Sequence, residues 1–187
     1  RLYRMVTPVH LDPHDCLAAQ LRADGIALED IGWIVLSHLH GDHAGGLGDF
    51  PRARVLCAGG ALDDLARRGR IGNLRLGQLP ARLAPVAGRT EPLEALAPVG
   101  LAPPFHELGQ ARDLFGDGSL LTVPLPGHAA GHHGLLFEDQ QGPVLLVADA
   151  SWSSQSIVDN TPPPALVTHL LGEHRVYRDT LARLHAL

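Results

Sequence analysis

The stretch from Ile31 to Gly46, Ile-Gly-Trp-Ile-Val-Leu-Ser-His-Leu-His-Gly-Asp-His-Ala-Gly-Gly, constrains this chain more than any other part of it. It opens with an apolar run, Ile31 to Leu36, of the kind that forms a strand buried on both faces. The run ends in four potential metal ligands within six residues: His38, His40, Asp42 and His43. Gly45 and Gly46 then let the backbone turn tightly. His38 and His40 are two apart, so in extended backbone their side chains leave on the same face. One cation could accept both at the roughly 2.0–2.1 Å of a zinc–nitrogen bond. Asp42 and His43 are adjacent and diverge unless the chain curls between them. Gly41 makes such a curl easy and could bring both onto a second cation. A single histidine in a loop is ordinarily just a polar residue. Three histidines and an aspartate delivered by an apolar strand have little packing rationale. The spacing also differs from the metalloprotease pattern, two histidines four apart on a helix.

Ser37-His38-Leu39-His40-Gly41-Asp42-His43 resembles the His-x-His-x-Asp-His signature of the metallo-β-lactamase-fold hydrolases. Pro126-Gly127-His128 and the apolar run Val144 to Ala148 leading into Asp149 resemble two later segments of that family, in the same order. The resemblance runs from about residue 10 to the end and is weakest across 70–104. It implies an α/β (α+β) fold, a four-layer αββα sandwich. It also implies two divalent metal ions, zinc first, with manganese or iron as alternatives. On this pattern His38, His40 and His128 bind one ion, Asp42 and His43 bind the other, and Asp149 bridges them. Asp42 would in addition hold or pass a proton. In the family a further histidine for the second ion comes from a segment beyond the final helix, and strands precede the first helix. The chain is therefore expected to be one domain, 1–187, truncated at both ends, without that last histidine.

The length of 187 residues suffices for one domain with a real core. A hydrophobic content of 45% and a mean hydropathy of +0.04 fit a soluble globular chain. No apolar stretch reaches the roughly 18–20 residues of a membrane span, so no membrane partner is expected. A net charge of −5 argues against nucleic acid, whose binding rests on a basic face. Cys16 and Cys57 lie far apart and suggest neither a disulfide framework nor a thiolate metal site. A cytoplasmic location is expected, with export left open because the chain starts at Arg1 rather than Met. A homo-oligomer is left open as well.

In chain order, residues 1–12 read as irregular or as a strand fragment, and Asp15 as the cap of a helix to about Ala23. A strand at 31–37 precedes the ligand loop, a short strand covers Arg54 to Ala58, and a helix runs from Gly59 to Arg68 with Gly69 as its stop. The Pro-rich stretch 70–104 reads as an irregular insertion that could serve as a lid, with room for a short helix at 91–97. Asp113-Leu114-Phe115 and Ser119 to Val123 flank Gly116-Asp117-Gly118 as a hairpin. Strands follow at Gly134 to Glu138 and Pro143 to Ala148, and a helix at 173–187.

Ser-His-Leu-His-x-Asp-His-Ala-Gly-Gly together with Asp-x-Phe-Gly-Asp-Gly-Ser is similar to the lactonase-like branch, which includes enzymes opening acyl-homoserine lactones. That resemblance implies hydrolysis of a lactone or ester bond in a small molecule by a metal-activated hydroxide. Those lactonases carry a tyrosine, whose hydroxyl contacts the substrate carbonyl, where this chain has Trp152. An indole donates one hydrogen bond and cannot accept one, so the particular substrate stays open. Trp152, Phe105 and His106 are candidate pocket residues. His132 and His133 read as supports of the ligand histidines. A glyoxalase-type thioesterase or a persulfide dioxygenase keeps the same motif, and a metal-free binding module is the alternative from another class. A flavodiiron oxidoreductase would have Glu in place of His40.

Overall fold

The structure, a computed structural model, describes residues 10–187. The strands Trp33–Val35 (β1), Arg54–Cys57 (β2) and Thr90–Pro92 (β3) form a parallel sheet in the order β1-β2-β3, with Val35 opposite Leu56 and Leu56 opposite Glu91. Parallel strands are covered on both faces, and β2 obeys this, with Val55, Leu56 and Cys57 all buried. Side chains alternate along a strand. Val55 and Cys57 accordingly share a core with Ala61, Leu62 and Leu65 of the helix Gly59–Arg75, whereas Leu56 points the other way, toward Leu93, Leu114 and Leu120.

That second cluster lies between the sheets. The other sheet is an antiparallel meander, β4 (Ala97–Gly100), β5 (Gln110–Asp113), β6 (Leu120–Pro124), β7 (His133–Asp139) and β8 (Gly142–Leu146), paired in sequence order. The helices are α1 (Leu17–Ala23), α2 (Gly41–Ala44), α3 (Gly59–Arg75), α4 (Pro80–Leu83), α5 (Ser154–Val158), α6 (Ala165–Leu171) and α7 (His174–His185). Ala18 of α1 packs with Ile31 and Ile34, and Leu184 of α7 packs with Ala111, Val123 and Leu136. Helix, sheet, sheet and helix therefore form the expected four-layer αββα sandwich.

The β5–β6 turn explains why its sequence was readable. The Asp113 carboxylate accepts backbone N–H groups of Phe115, Gly116 and Gly118 at 3.2, 2.9 and 2.8 Å. Gly116 and Gly118 sit at φ of 78° and 77°, a region open to glycine.

Several expectations need correction. Asp15 does not cap α1: Asp12 caps the preceding short turn through the His14 N–H at 2.9 Å, and Cys16 precedes α1 without a side-chain cap. Gly69, at φ 64°, ψ 177°, does break the helix that starts at Gly59, but a second helical stretch follows it directly to Arg75, so α3 is two helices meeting at a kink. The short helix given room at 91–97 is reduced to a single 3-10 turn. That stretch is the end of β3, a turn at Leu93–Ala95 and the start of β4, so residues 70–104 supply one strand to each sheet. The stretch expected at 1–12 lies outside the described residues except for 10–12. Among the described residues, no helix is long and apolar enough to cross a membrane.

Candidate metal centre

Past β1 the chain bends at Ser37, and Leu36 and Leu39 both enter the core shared with α3. His38 and His40, on either side of Leu39, bring their rings together instead, Nε2 to Nδ1 at 2.9 Å. Both are buried, at 1% and 7% exposure. The chain then curls into α2 at Gly41, whose N–H bonds to the Gly77 carbonyl at 2.8 Å. The curl leaves the next two donors near each other but unequally buried. His43 turns inward, with Nε2 3.1 Å from Asp149 Oδ2, whereas the Asp42 carboxylate is 79% exposed and 3.8 Å from His43 Nε2.

His128 comes from the loop after β6. The loop is clamped from behind by α7: Thr180 Oγ1 donates to the Pro126 carbonyl at 2.7 Å and the Glu173 N–H to the Gly127 carbonyl at 2.8 Å. Asp149 sits in a single turn, Ala148–Ala150, just past β8, anchored by buried Ala150.

The four donors meet. Ligand atoms of His38, His40, His128 and Asp149 all lie within 4.8 Å of one another. His40 Nδ1 is 2.9 Å from His38 Nε2 and 3.1 Å from His128 Nε2, and Asp149 Oδ2 is 3.5 Å from His38 Nε2 and 3.2 Å from His128 Nε2. A tetrahedron of bonds of about 2.0–2.1 Å places its corners about 3.3 Å apart, so this donor set fits a divalent cation such as zinc. The protonation pattern agrees. Burial, and then the neighbouring imidazoles, hold His38 far below the usual histidine range and bring His40 down to about 4. Neutral imidazoles keep a lone pair for a metal. Hydrogen bonds from His128 and His43 hold the Asp149 carboxyl well below its ordinary value, and the bond to Asp149 raises His43. One proton on His40 Nδ1 could satisfy only one of the two imidazoles beside it, whereas a cation satisfies both.

The donors open into a cleft of about 270 Å³ lined by His40, Asp42, Leu76, Gly77, His128, Asp149 and Trp152. Trp152 is half exposed there. Phe105 and His106 do not reach this cleft. They lie on a short turn, Phe105–Leu108, that packs Phe105 against the core beneath the second sheet and sends His106 outward to Glu107 at 3.2 Å. His133 bonds to the Gly131 carbonyl at 2.8 Å and not to a ring of the donor cluster. His132 is buried with its ring centroid 5.0 Å from that of His38, packing against the donor cluster without a hydrogen bond to it. Burial and His128 bring His132 down to about 3. Leu76 and Gly77 were not foreseen. They follow α3 in a segment without any compositional signal, and only the pairing of His40 with Gln78 places them. A larger cavity of about 640 Å³ lies on the other side of His40, between α3 and the segment 169–176.

Residues 9–187 match the metallo-beta-lactamase superfamily. The chain belongs to that family. Within the superfamily it is 32% identical over 160 residues to the N-acyl homoserine lactonase AttM of Azorhizobium caulinodans, covering 80% of this chain and 54% of that protein. It is 30% identical over 149 residues to an N-acyl homoserine lactonase of Bacillus cereus, covering 79% and 50%. The fold is similar to a solved N-acyl homoserine lactone hydrolase with the product N-hexanoyl-L-homoserine at its catalytic metal centre. The TM-score is 0.66 at 23% identity, over 93% of this chain and 58% of that one. The chain spans about half the length of the curated relatives it matches.

Proposed function

We propose that the protein carrying this chain is a metal-dependent hydrolase that opens the ester bond of a small lactone. N-acyl homoserine lactones, on which its named relatives act, are the leading substrate class. The observation that carries this reading is the convergence of His38, His40, His128 and Asp149 at the floor of an open cleft. His38, His40 and His128 would hold the first ion, Asp42 and His43 a second, and Asp149 both; zinc is the expected metal, with manganese or iron as alternatives. Bound there, the ions supply an acidified water and a Lewis acid for the ester carbonyl.

The rest falls to the protein. Asp42 stands at the mouth, where its exposed carboxylate can take a proton from the attacking water and return it to the leaving alcohol. Trp152 and Leu76 form an apolar wall on which the acyl part of a substrate can lie. The Trp152 indole N–H is the donor available in that wall. Leu76 and Gly77, from the stretch 70–104, reach this rim, which is where a lid would act.

The test is a panel of lactones, simple esters, thioesters and phosphotriesters assayed on the zinc-loaded protein, with Asp149→Ala alongside. Lactones should give the highest kcat/KM, and Asp149→Ala should lose metal and every activity together. Thioester turnover without lactone turnover would refute the proposal in favour of a glyoxalase-type enzyme. Failure to take up metal would leave a binding module.

A further inference from the structure

Ser37 lies between buried Leu36, just past β1, and the first donor, His38. Its Oγ lies 3.0 Å from Nδ1 of His38 and 3.4 Å from Nδ1 of His43. Its carbonyl accepts the backbone N–H of His133, the first residue of β7, at 2.8 Å. One serine thus touches an imidazole from each half of the centre while pinning the first sheet to the second.

The two imidazoles face their partners in the same sense. His38 turns Nε2 toward His40 Nδ1 at 2.9 Å, and His43 turns Nε2 toward Asp149 Oδ2 at 3.1 Å. A neutral ring that offers the Nε2 lone pair to a cation carries its proton on Nδ1, and that N–H needs an acceptor. Ligand histidines ordinarily find one in a carboxylate, a carbonyl or a water. Among the described residues, the Ser37 hydroxyl is the acceptor within reach of either Nδ1. A hydroxyl oxygen has two acceptor lone pairs, which matches two N–H groups.

We propose that Ser37 is a positioning residue shared by the two halves of the centre. Its hydroxyl accepts the Nδ1–H of both His38 and His43, and so fixes the tautomer and ring orientation of one ligand on each side. The inference rests on the reading of this cluster as a metal centre. A serine that only terminated β1 would leave the two rings free to choose their tautomers independently.

Two measurements test it. Long-range proton–nitrogen correlation spectra of the zinc-loaded chain should show His38 and His43 both protonated on Nδ1. A ring of either residue protonated on Nε2 would overturn the proposal without recourse to any variant. Zinc affinity by chelator competition should fall about 10–100-fold in Ser37→Ala, the range for losing an outer partner of a ligand histidine. Every equivalent that the parent chain binds should weaken, and Ser37→Thr, which keeps the hydroxyl, should restore the affinity. Affinity in Ser37→Ala equal to that of the parent, or a loss that Thr does not repair, would also overturn it. A parent chain that takes up no zinc would instead refute the metal-centre reading, a result separable from both.

Discussion

Gly127 offers the sharpest test of how the third histidine is held. It sits at φ 125°, and a Cβ there would overlap the Cα and N of Tyr177 and approach the Val176 carbonyl carbon to 2.8 Å. In Gly127→Ala the backbone conformation costs about 1–3 kcal/mol and the collision with α7 about 1–3 kcal/mol more. The expected loss is therefore about 2–6 kcal/mol, or a fall in Tm of roughly 4–24 °C for a chain of this size. Gly25 provides the control, because it has φ 77° with nothing within 4 Å of an added Cβ. Gly25→Ala should show only the backbone cost, about 1–2 kcal/mol. Thermal unfolding of the metal-free variants, followed by circular dichroism, gives the stability difference. Chelator competition then reads the site: any backbone shift that relieves the collision moves His128, so Gly127→Ala alone should weaken zinc binding. Equal losses of stability in the two variants, or unchanged zinc affinity in Gly127→Ala, would refute the claim that close approach of α7 sets His128.

Zinc at a hundred times its Kd should raise Tm by roughly 5–11 °C, from about 2.7 kcal/mol of linkage at about 2–4 °C per kcal/mol, and His38→Ala should abolish the rise in a thermal-shift assay. Leu181 is fully buried on α7, and Leu181→Ala should cost about 2–5 kcal/mol in urea unfolding. Asp64 accepts hydrogen bonds from Arg68 at 2.6 Å and Arg67 at 2.8 Å, which hold its carboxyl below the ordinary 3.8. Its contribution is present at neutral pH and lost as pH falls below 3.8, so the stability gap between the parent and Asp64→Asn should close in acid. Trp152→Tyr should reorder kcat/KM across lactones of different acyl length while leaving metal content unchanged; a uniform factor for all of them would make Trp152 a packing residue.

The donor cluster was legible because its pieces are local. Each of His38, His40, His128 and Asp149 follows an apolar strand or a Pro-Gly turn, and the two-residue spacing of His38 and His40 suits side chains that meet. What failed was set by contacts across the chain. Thr90–Pro92 pairs as a strand because β2 offers an open parallel edge, and Leu93 is buried by the opposite sheet; neither neighbour is adjacent in sequence. Gly69 does break the helix, but the second helical stretch beyond it has no local signal: Asn73, buried there, donates to the Leu65 carbonyl at 2.9 Å and ties that stretch to the first. The helices at 154–158 and 165–171 are short and flank the prolines at 162–164, so their periodicity never exceeds one or two turns. Phe105 beside His106 looked like a pocket wall because both are pocket-type residues. The turn at Phe105–Leu108 assigns one to the core and the other to solvent.

The donors straddle the seam of the sandwich: His38, His40 and His43 follow the first sheet, and His128 and Asp149 belong to the second. An ion held across that seam would be a rivet as much as a reagent. Hinging the two sheets apart would tear its coordination, so chelation should loosen the whole joint and not just the pocket. The His133 amide, bonded to Ser37 directly across the joint, is then a built-in gauge of whether the rivet is in place: its exchange with solvent should track metal occupancy, while amides in the middle of the meander stay indifferent to it.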